Sequence, residues 1–436
     1  MAAGAIWNPE RETMPRDEIE QFQLERLQAT INRAYRNVQF YGRTFKSHDL
    51  APEDVGSLED LKKLPFTTKE DLRQAYPYGM FALPLREVVR IHASSGTTGP
   101  ATVVGYTKND LDDWTELVAR DLVAGGVTKD DVVQVFFGYG LFSGGFGLHQ
   151  GAELIGASVL PVSSADIESQ VKVMQDFRTT ALVGIPSYAL QIAEAMQEMG
   201  VDPNSLCLRV AVLGGEPWSH ETRGEIEDKL KIRATDIYGL AEVGGPGVSG
   251  ECEHQKGLHI AEDHFIVEVV DPKSGETLQP GQEGELVFTT VHKEGMPVLR
   301  YRTGDISSID PEPCPCGRTF VRMARVKRRV DDMIIIHGKN ILPEDIARVI
   351  AQVEGVGPNF RMTADRVEGE DTIEIEVELS SVLGEDTIRA IEQRDQELTE
   401  RLQRFLGFEL SVKIAEPWSL SANGEKKPTV IDRRKL

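Results

Sequence analysis

The residues best suited to chemistry fall in a handful of short stretches. Ser94, Ser95, Gly96, Thr97, Thr98 and Gly99 form a run of hydroxyls and glycines between two β-like segments, Val88–His92 and Thr102–Tyr106. Glycines let a turn aim several backbone N–H groups at one anion, and hydroxyls add donors, which suits the phosphates of a nucleotide. The competing reading is a surface turn rich in small polar residues. It is no Walker-type loop, since no Gly-Lys-Ser/Thr closes it. Gly214, Gly215, Glu216 and Pro217 make a flat strand end that a planar base can approach. Asp236, Ile237, Tyr238 and Gly239 lead to Glu242, setting an aromatic ring beside a carboxylate able to hold Mg²⁺. Tyr301–Asp305 offers Asp305, a carboxylate suited to accept both hydroxyls of a ribose, and a basic cluster follows that includes Arg325 and Arg329. Thr67 and Glu70 fit a capping box, which puts Lys69 in a first helical turn, where the dipole disfavours a cation. Lys69 is either a solvated lysine or one aimed at an anion. Each pattern alone is more often structural; their joint presence in this order carries the weight.

The chain that must position these groups has 436 residues, enough for two or three domains. Its 40% hydrophobic and 27% charged content is that of a soluble globular protein, and its formal charge of -22 argues against nucleic acid or an anionic membrane as a main partner. Met1–Asn8 has no basic region, so no signal peptide is expected. The most apolar stretch, Val132–Leu148, is interrupted by glycines and is no transmembrane helix. Four cysteines in so long a chain are no disulfide scaffold, and a cytoplasmic location is expected.

Hydrophobic periodicity predicts a helix over residues 17–38, then strand–helix alternation: strands at 131–136, 181–186, 209–213 and 234–239, with a helix over 188–199 and another after Ser219. This is an α/β pattern with much parallel sheet, whose ligands bind at the carboxyl ends of strands, where the glycine-rich and acidic motifs fall. From about residue 260 the rhythm becomes all-β. Beyond Asp331 comes a fresh strand, a helix opened by Pro343, and a strictly alternating strand at 372–379 that sends Ile373, Ile375, Val377 and Leu379 inward and Glu374, Glu376 and Glu378 to water. A helix over 386–406 stops at Gly407, and a last strand alternates through Phe408, Leu410, Val412 and Ile414. The expected fold is a large N-terminal domain, residues 1–330, of parallel sheets with helices plus a β-rich subdomain, and a small mobile C-terminal α+β domain, residues 332–436.

At this point the chain resembles the adenylate-forming superfamily of acyl-CoA synthetases, and within it the phenylacetate–CoA ligase family. The resemblance rests on SSGTTGPATVVGYT (94–107), FFGYGLFSGGFGLHQGAE (136–153), LGGEPW (213–218), DIYGLAEVGGPGVSGEC (236–252), EDHF (262–265), GELVFTT (284–290), MPVLRYRTGD (296–305), RRVDDMIIIHGKNILPEDI (328–346) and VIDRR (430–434). It spans nearly the whole chain.

The resemblance implies a reaction in two steps. A carboxylate attacks the α-phosphorus of Mg-ATP, releasing pyrophosphate and leaving an acyl-adenylate; the thiol of coenzyme A then displaces AMP. It implies that residues 94–99 hold phosphates, that Glu242 binds Mg²⁺, and that Gly214–Pro217 with Asp236–Gly239 line the adenosine site. Asp305 and Arg329 would hold the ribose, with Arg325 nearby, and Asp331 would be the hinge of the small domain. The catalytic lysine falls at Lys426, with Lys427 as the alternative. Where many relatives have Gly-Lys-Pro, this chain has Gly99-Pro100-Ala101, so Lys69 becomes the candidate for the missing phosphate-facing cation. Tyr139, Phe142, Phe146, Ile237 and Pro246 are the candidate walls of an acyl pocket, suited to an arylacetic acid such as phenylacetate. Indoleacetate, a benzoate, or AMP transfer to a cofactor remain as alternatives. The resemblance also suggests a homodimer. Separately, Cys314 and Cys316 with Cys252 and His259 would complete a tetrahedral structural zinc site, His254 being the rival nitrogen ligand. Cys207 reads as plain core.

Overall fold

The computed structural model describes residues 5–93, 101–141, 143–163, 166–330, 333–367, 370–379, 387–416, 419–420 and 430–434. The chain divides into two compact units. One holds Met1–Pro217 and Thr222–Arg328; the other holds Trp218–Glu221 and Arg329–Leu436.

The first unit is organised on a nine-stranded sheet. Val132–Val135, Ala181–Gly184, Val210–Gly214 and Arg233–Leu240 lie side by side and parallel, with Ser158–Leu160 parallel at the outer edge. Ala181–Gly184 and Val210–Gly214, in the middle of the sheet, are apolar and buried along their length, as strands covered by helices must be. The helices Gly144–Ile155, Ile167–Phe177 and Pro186–Glu198 make the crossovers. Past Arg233–Leu240 the direction changes: Gly245–Glu251, Leu258–Ile260 and Arg322–Met323 continue the sheet antiparallel. A separate antiparallel sheet is built from Phe265–Val270, Gly284–Thr290 and Tyr301–Ser307.

The glycines that interrupt residues 132–148 serve close packing. On the helix Gly144–Ile155, a Cβ at Gly147 would lie 2.5 Å from the Trp114 ring, and one at Gly151 would lie 2.6 Å from Val118. The neighbouring helix Lys108–Ala124 can therefore approach almost to backbone contact. No helix among the described residues is long and apolar enough to cross a membrane.

The second unit packs Pro343–Ile350 and Thr387–Leu406 on a four-stranded sheet ordered Ser411–Ala415, Glu370–Leu379, Val356–Val367, Val430–Asp432. Its core is Ile334, Ile346, Met362, Ile373, Ile375, Val377, Leu398 and Leu402. The chain end is held by Arg434, whose guanidinium reaches the Asp371 carboxylate at 2.6 Å and the Ile335 carbonyl at 2.7 Å.

Four expectations are corrected. The cap at residues 67–71 is one residue on: Thr68 accepts from the Asp71 N–H, and Asp71 accepts in return. Thr67 is instead fully buried, with its N–H on the Arg300 carbonyl and its hydroxyl on the Leu299 carbonyl. Glu378 is buried rather than facing water, because the Leu420 N–H and the Asn359 amide donate to it. Cys207 is exposed, since its segment precedes the strand Val210–Gly214. The strand after Gly407 is not the last; Val430–Asp432 follows it and pairs with Val356–Val367, a long strand that the sequence patterning left unread.

Candidate active site

Val210–Gly214 and Arg233–Leu240 run parallel and end together, bringing the second and third chemical stretches to one edge. The approach is close enough that a Cβ on Gly214 would sit 1.9 Å from the Ile237 carbonyl oxygen. Gly215 follows with φ +83°, a left-handed turn that lays it over the Phe137 ring, and it is exposed at the strand end. Only glycine serves at both positions. Glu216 is buried and its carboxylate is already committed. The N–H and hydroxyl of Ser187 donate to it at 2.5 and 3.0 Å, at the N-terminus of the helix Pro186–Glu198, where a negative charge is favoured. What the Gly214–Pro217 edge offers a ligand is thus mainly backbone.

Tyr238 bridges two motifs 67 residues apart: its hydroxyl donates to Asp305 Oδ2 at 2.7 Å. Asp305 is buried on the strand Tyr301–Ser307, and its own N–H is held by the Thr303 hydroxyl at 3.0 Å. The pairing of Arg233–Leu240 with Gly245–Glu251 slips register between Tyr238 and Gly239, where a Cβ on Gly239 would lie 1.7 Å from the Gly245 carbonyl oxygen. Such an irregularity re-aims side chains at a strand end. Behind it, Asp236 is buried with its N–H on Glu251 at 2.9 Å, and Arg325 Nε stands 3.4 Å from its carboxylate. Glu251 also pairs with Arg223.

Glu242 lies just past the strand end, buried, with no hydrogen bond to its carboxylate from the described residues. Its charge and that of Asp110 favour the ammonium of buried Lys293, although burial dominates and lowers that lysine to about 8. Lys69 opens the helix Lys69–Gln74, half-exposed. The bridge between Thr67 and Tyr301 carries that helix start to the strand holding Asp305. Arg329 is the second residue of the strand Arg328–Arg329 and begins the main segment of the second unit. Ser94–Gly99, Phe142, Asp331, Lys426 and Lys427 lie outside the described residues.

Among the expected acyl-pocket residues, Tyr139 and Phe146 meet edge to face at 5.3 Å. Pro246 is held by the Trp114 indole, which donates to its carbonyl at 2.7 Å. Ile237 is buried in its strand beside Gly214. Two neighbours were not anticipated. His92 is buried against Tyr106, Trp114 and Phe146, with Nδ1 3.1 Å from the Leu141 carbonyl oxygen and Nε2 unpartnered among the described residues. Burial pushes its pKa below the ordinary imidazole value. Arg90 lies 5.4 Å from the centre of the Phe146 ring. The strand signal of Val88–His92 was legible; the direction of its side chains was not.

At the antiparallel side of the large sheet, Cys252, His259, Cys314 and Cys316 converge, all buried, with one ligand atom from each within 4.8 Å of the others. The sulfurs of Cys252 and Cys314 are 3.7 Å apart, and Cys316 Sγ is 3.4 Å from His259 Nε2. The hydrogen bond from Cys252, then His259, holds Cys316 below the ordinary thiol range, while Cys252 is pushed up. The ring of His254 is not in the group; its backbone N–H faces Cys252.

Comparison with known proteins agrees with this layout. Residues 3–292 match the family model for the AMP-binding enzyme, and residues 338–434 match the AMP-binding enzyme C-terminal domain. The chain is 44% identical to the phenylacetate-coenzyme A ligase of Thermus thermophilus over 99% of its own length and 100% of the relative's. It is 43% identical to that of Escherichia coli K12 over 98% and 97%. A crystal structure of 2-hydroxyisobutyryl-CoA ligase in complex with 2-HIB-AMP and CoA superposes with a TM-score of 0.90 at 29% identity, covering 100% of this chain and 94% of that one. The chain belongs to the phenylacetate–CoA ligase family of the AMP-binding, adenylate-forming enzymes.

Proposed function

We propose that this protein activates an arylacetic acid of the phenylacetate type with Mg-ATP and transfers the acyl group to coenzyme A. The AMP-forming ligation of a carboxylic acid to CoA through an acyl-adenylate follows from family membership; the choice of acid is our reading. The observation that carries the nucleotide site is the bond from Tyr238 to Asp305, which ties a buried carboxylate to the end of the strand that pairs with Val210–Gly214. A ring laid on that edge would present its ribose hydroxyls to Asp305, while Arg325 holds Asp236 in place from behind. Preorganised groups of this kind cost no reorganisation when charge develops. The aromatic set of Tyr139, Phe146 and His92 supports an acid with an aromatic ring.

Glu242, buried and free of hydrogen bonds from described residues, suits a cation, and we assign it to Mg²⁺, which supplies charge neutralisation on the phosphates. Ser94, Ser95, Gly96, Thr97, Thr98 and Gly99 are assigned to the phosphates, with Lys69 as an added cation. Lys426 is assigned to the adenylation step, Arg329 to the ribose, and Asp331 to the hinge between residues 1–330 and 332–436. We further assign Zn²⁺ to Cys252, His259, Cys314 and Cys316: three buried sulfurs and an imidazole suit a closed structural site.

The test is a panel of carboxylic acids scored for AMP release with and without CoA. Arylacetic acids should give sustained AMP release only with CoA. Sustained turnover without CoA would instead indicate AMP transfer to another acceptor. Lys426→Ala should lower adenylation by about 1000-fold yet spare thioester formation from supplied acyl-adenylate. Equal loss of both steps would overturn the assignment.

A further inference from the structure

Away from the nucleotide edge and the thiol cluster, a second group of ligand-type side chains converges. Asp113 stands on the helix Lys108–Ala124, His264 in the turn before the strand Phe265–Val270, and His292 just past the strand Gly284–Thr290. One ligand atom from each lies within 4.8 Å of the other two. His292 Nδ1 is 3.2 Å from Asp113 Oδ2. The two imidazoles overlap with centroids 4.4 Å apart at 33°, and Phe22 stacks on His292 at 5.9 Å. All three residues line one cavity of about 30 Å³, room for an ion with a water; Asp110 and Lys293 line it too.

An oxygen of Asp263 lies 3.7 Å from His264 Nε2, and Asp263 is itself clamped by Arg120 with two contacts of 2.9 Å. The clamped carboxylate adds negative charge beside the imidazole. With Asp110 and Asp113 against Lys293, the cavity retains negative charge for a cation.

We propose that Asp113, His264 and His292 form a second metal site, taking a borderline divalent transition-metal ion such as Zn²⁺ and leaving at least one coordination position to water. Two nitrogens and one oxygen suit Zn²⁺, Co²⁺ or Ni²⁺ and are wrong for Ca²⁺ or Mg²⁺, which demand oxygen. Metal–ligand bonds of about 2.1 Å require the donors to draw together. Asp113 and His292 are partly exposed and can rotate to do so. The ion would tie the helix Lys108–Ala124 to two strand ends beside Lys293, whose ammonium is 3.4 Å from the carbonyl of Val243, the residue next to Glu242. Nothing in this proposal depends on the acid substrate.

The test compares the purified full chain with His292→Ala and Asp113→Asn, each equilibrated with Zn²⁺ and analysed for bound metal, and each titrated with Co²⁺ by absorption. Both variants alter partly exposed side chains, so one serves if the other fails to fold, as judged by thermal melting. Each variant should bind one Zn²⁺ fewer per chain than the wild type, or bind that ion at least about 10-fold more weakly. The thiolate-to-cobalt absorption of the cysteine cluster should be unchanged, which separates this site from the other. Equal stoichiometry and affinity in wild type and variants would overturn the proposal. So would a wild-type chain whose bound metal is lost entirely in Cys316→Ser.

Discussion

The two halves of the nine-stranded sheet end very differently. In the parallel half, Val210–Gly214 and Arg233–Leu240 stop at glycines, a register slip and a tyrosine that reaches a distant carboxylate. In the antiparallel half, Gly245–Glu251 and Leu258–Ile260 lead to Cys252 and His259, which meet two more thiols from Cys314–Cys316. Parallel strands share a carboxyl edge, so groups next to one another there are presented outward to a ligand. On the antiparallel side, Leu258–Ile260 also pairs with Arg322–Met323, and the segment before that strand brings Cys314 and Cys316 against Cys252 and His259 and buries all four. The first arrangement suits turnover and the second suits stapling. Glu251 belongs to both, since it pairs with Arg223 and accepts from the Asp236 N–H.

Substitutions can break this contrast or sharpen it. The largest effect is expected from Cys316→Ser: loss of the assigned zinc and about 4 kcal/mol of stability, read as a lower melting temperature and less bound metal. The folded fraction should keep its kcat/KM for ATP within a few fold. An unchanged melting temperature would leave the antiparallel half without its stapling role. Next comes Asp305→Ala, which removes the acceptor of Tyr238 and the carboxylate assigned to the ribose. It should lower kcat/KM for ATP about 100-fold with little change in melting; a chain that melts early but turns over normally would reverse the contrast.

The smallest effect concerns His92. Burial lowers its folded-state pKa, so between that value and 6.5 the unfolded chain binds more protons. Its contribution is therefore fully present above about pH 6.5 and is lost as pH falls through the folded value. Wild type should lose stability relative to His92→Gln on going from pH 7 to pH 5, measured by urea unfolding. A constant difference would remove His92 from the buried wall.

How much of this was legible without coordinates depends on the range of the deciding interaction. The helix Arg16–Asn37 and the strands Ala181–Gly184 and Arg233–Leu240 follow from periodicity, which acts within a few residues. The choice of cap did not follow. Thr67–Glu70 and Thr68–Asp71 carry the same pattern, and only the pairing of Thr67 with the chain at Arg300 and Arg302 selects the second. Strict alternation gave Ile373, Ile375 and Val377 correctly and misread Glu378, because its donors come from Asn359 and Leu420. The convergence of Asp113, His264 and His292 had no spacing signal at all.

By itself the sequence determined the family, the reaction class and the identity of the motifs, since these reside in residue types at short spacing. Tertiary structure alone decided that Tyr238 addresses Asp305, that Glu216 spends its carboxylate on a helix end, and that His259 rather than His254 joins the thiols. Each of those outcomes is a hydrogen bond or close contact between segments far apart in the chain. Such contacts depend on strand order and register, which local propensity does not encode.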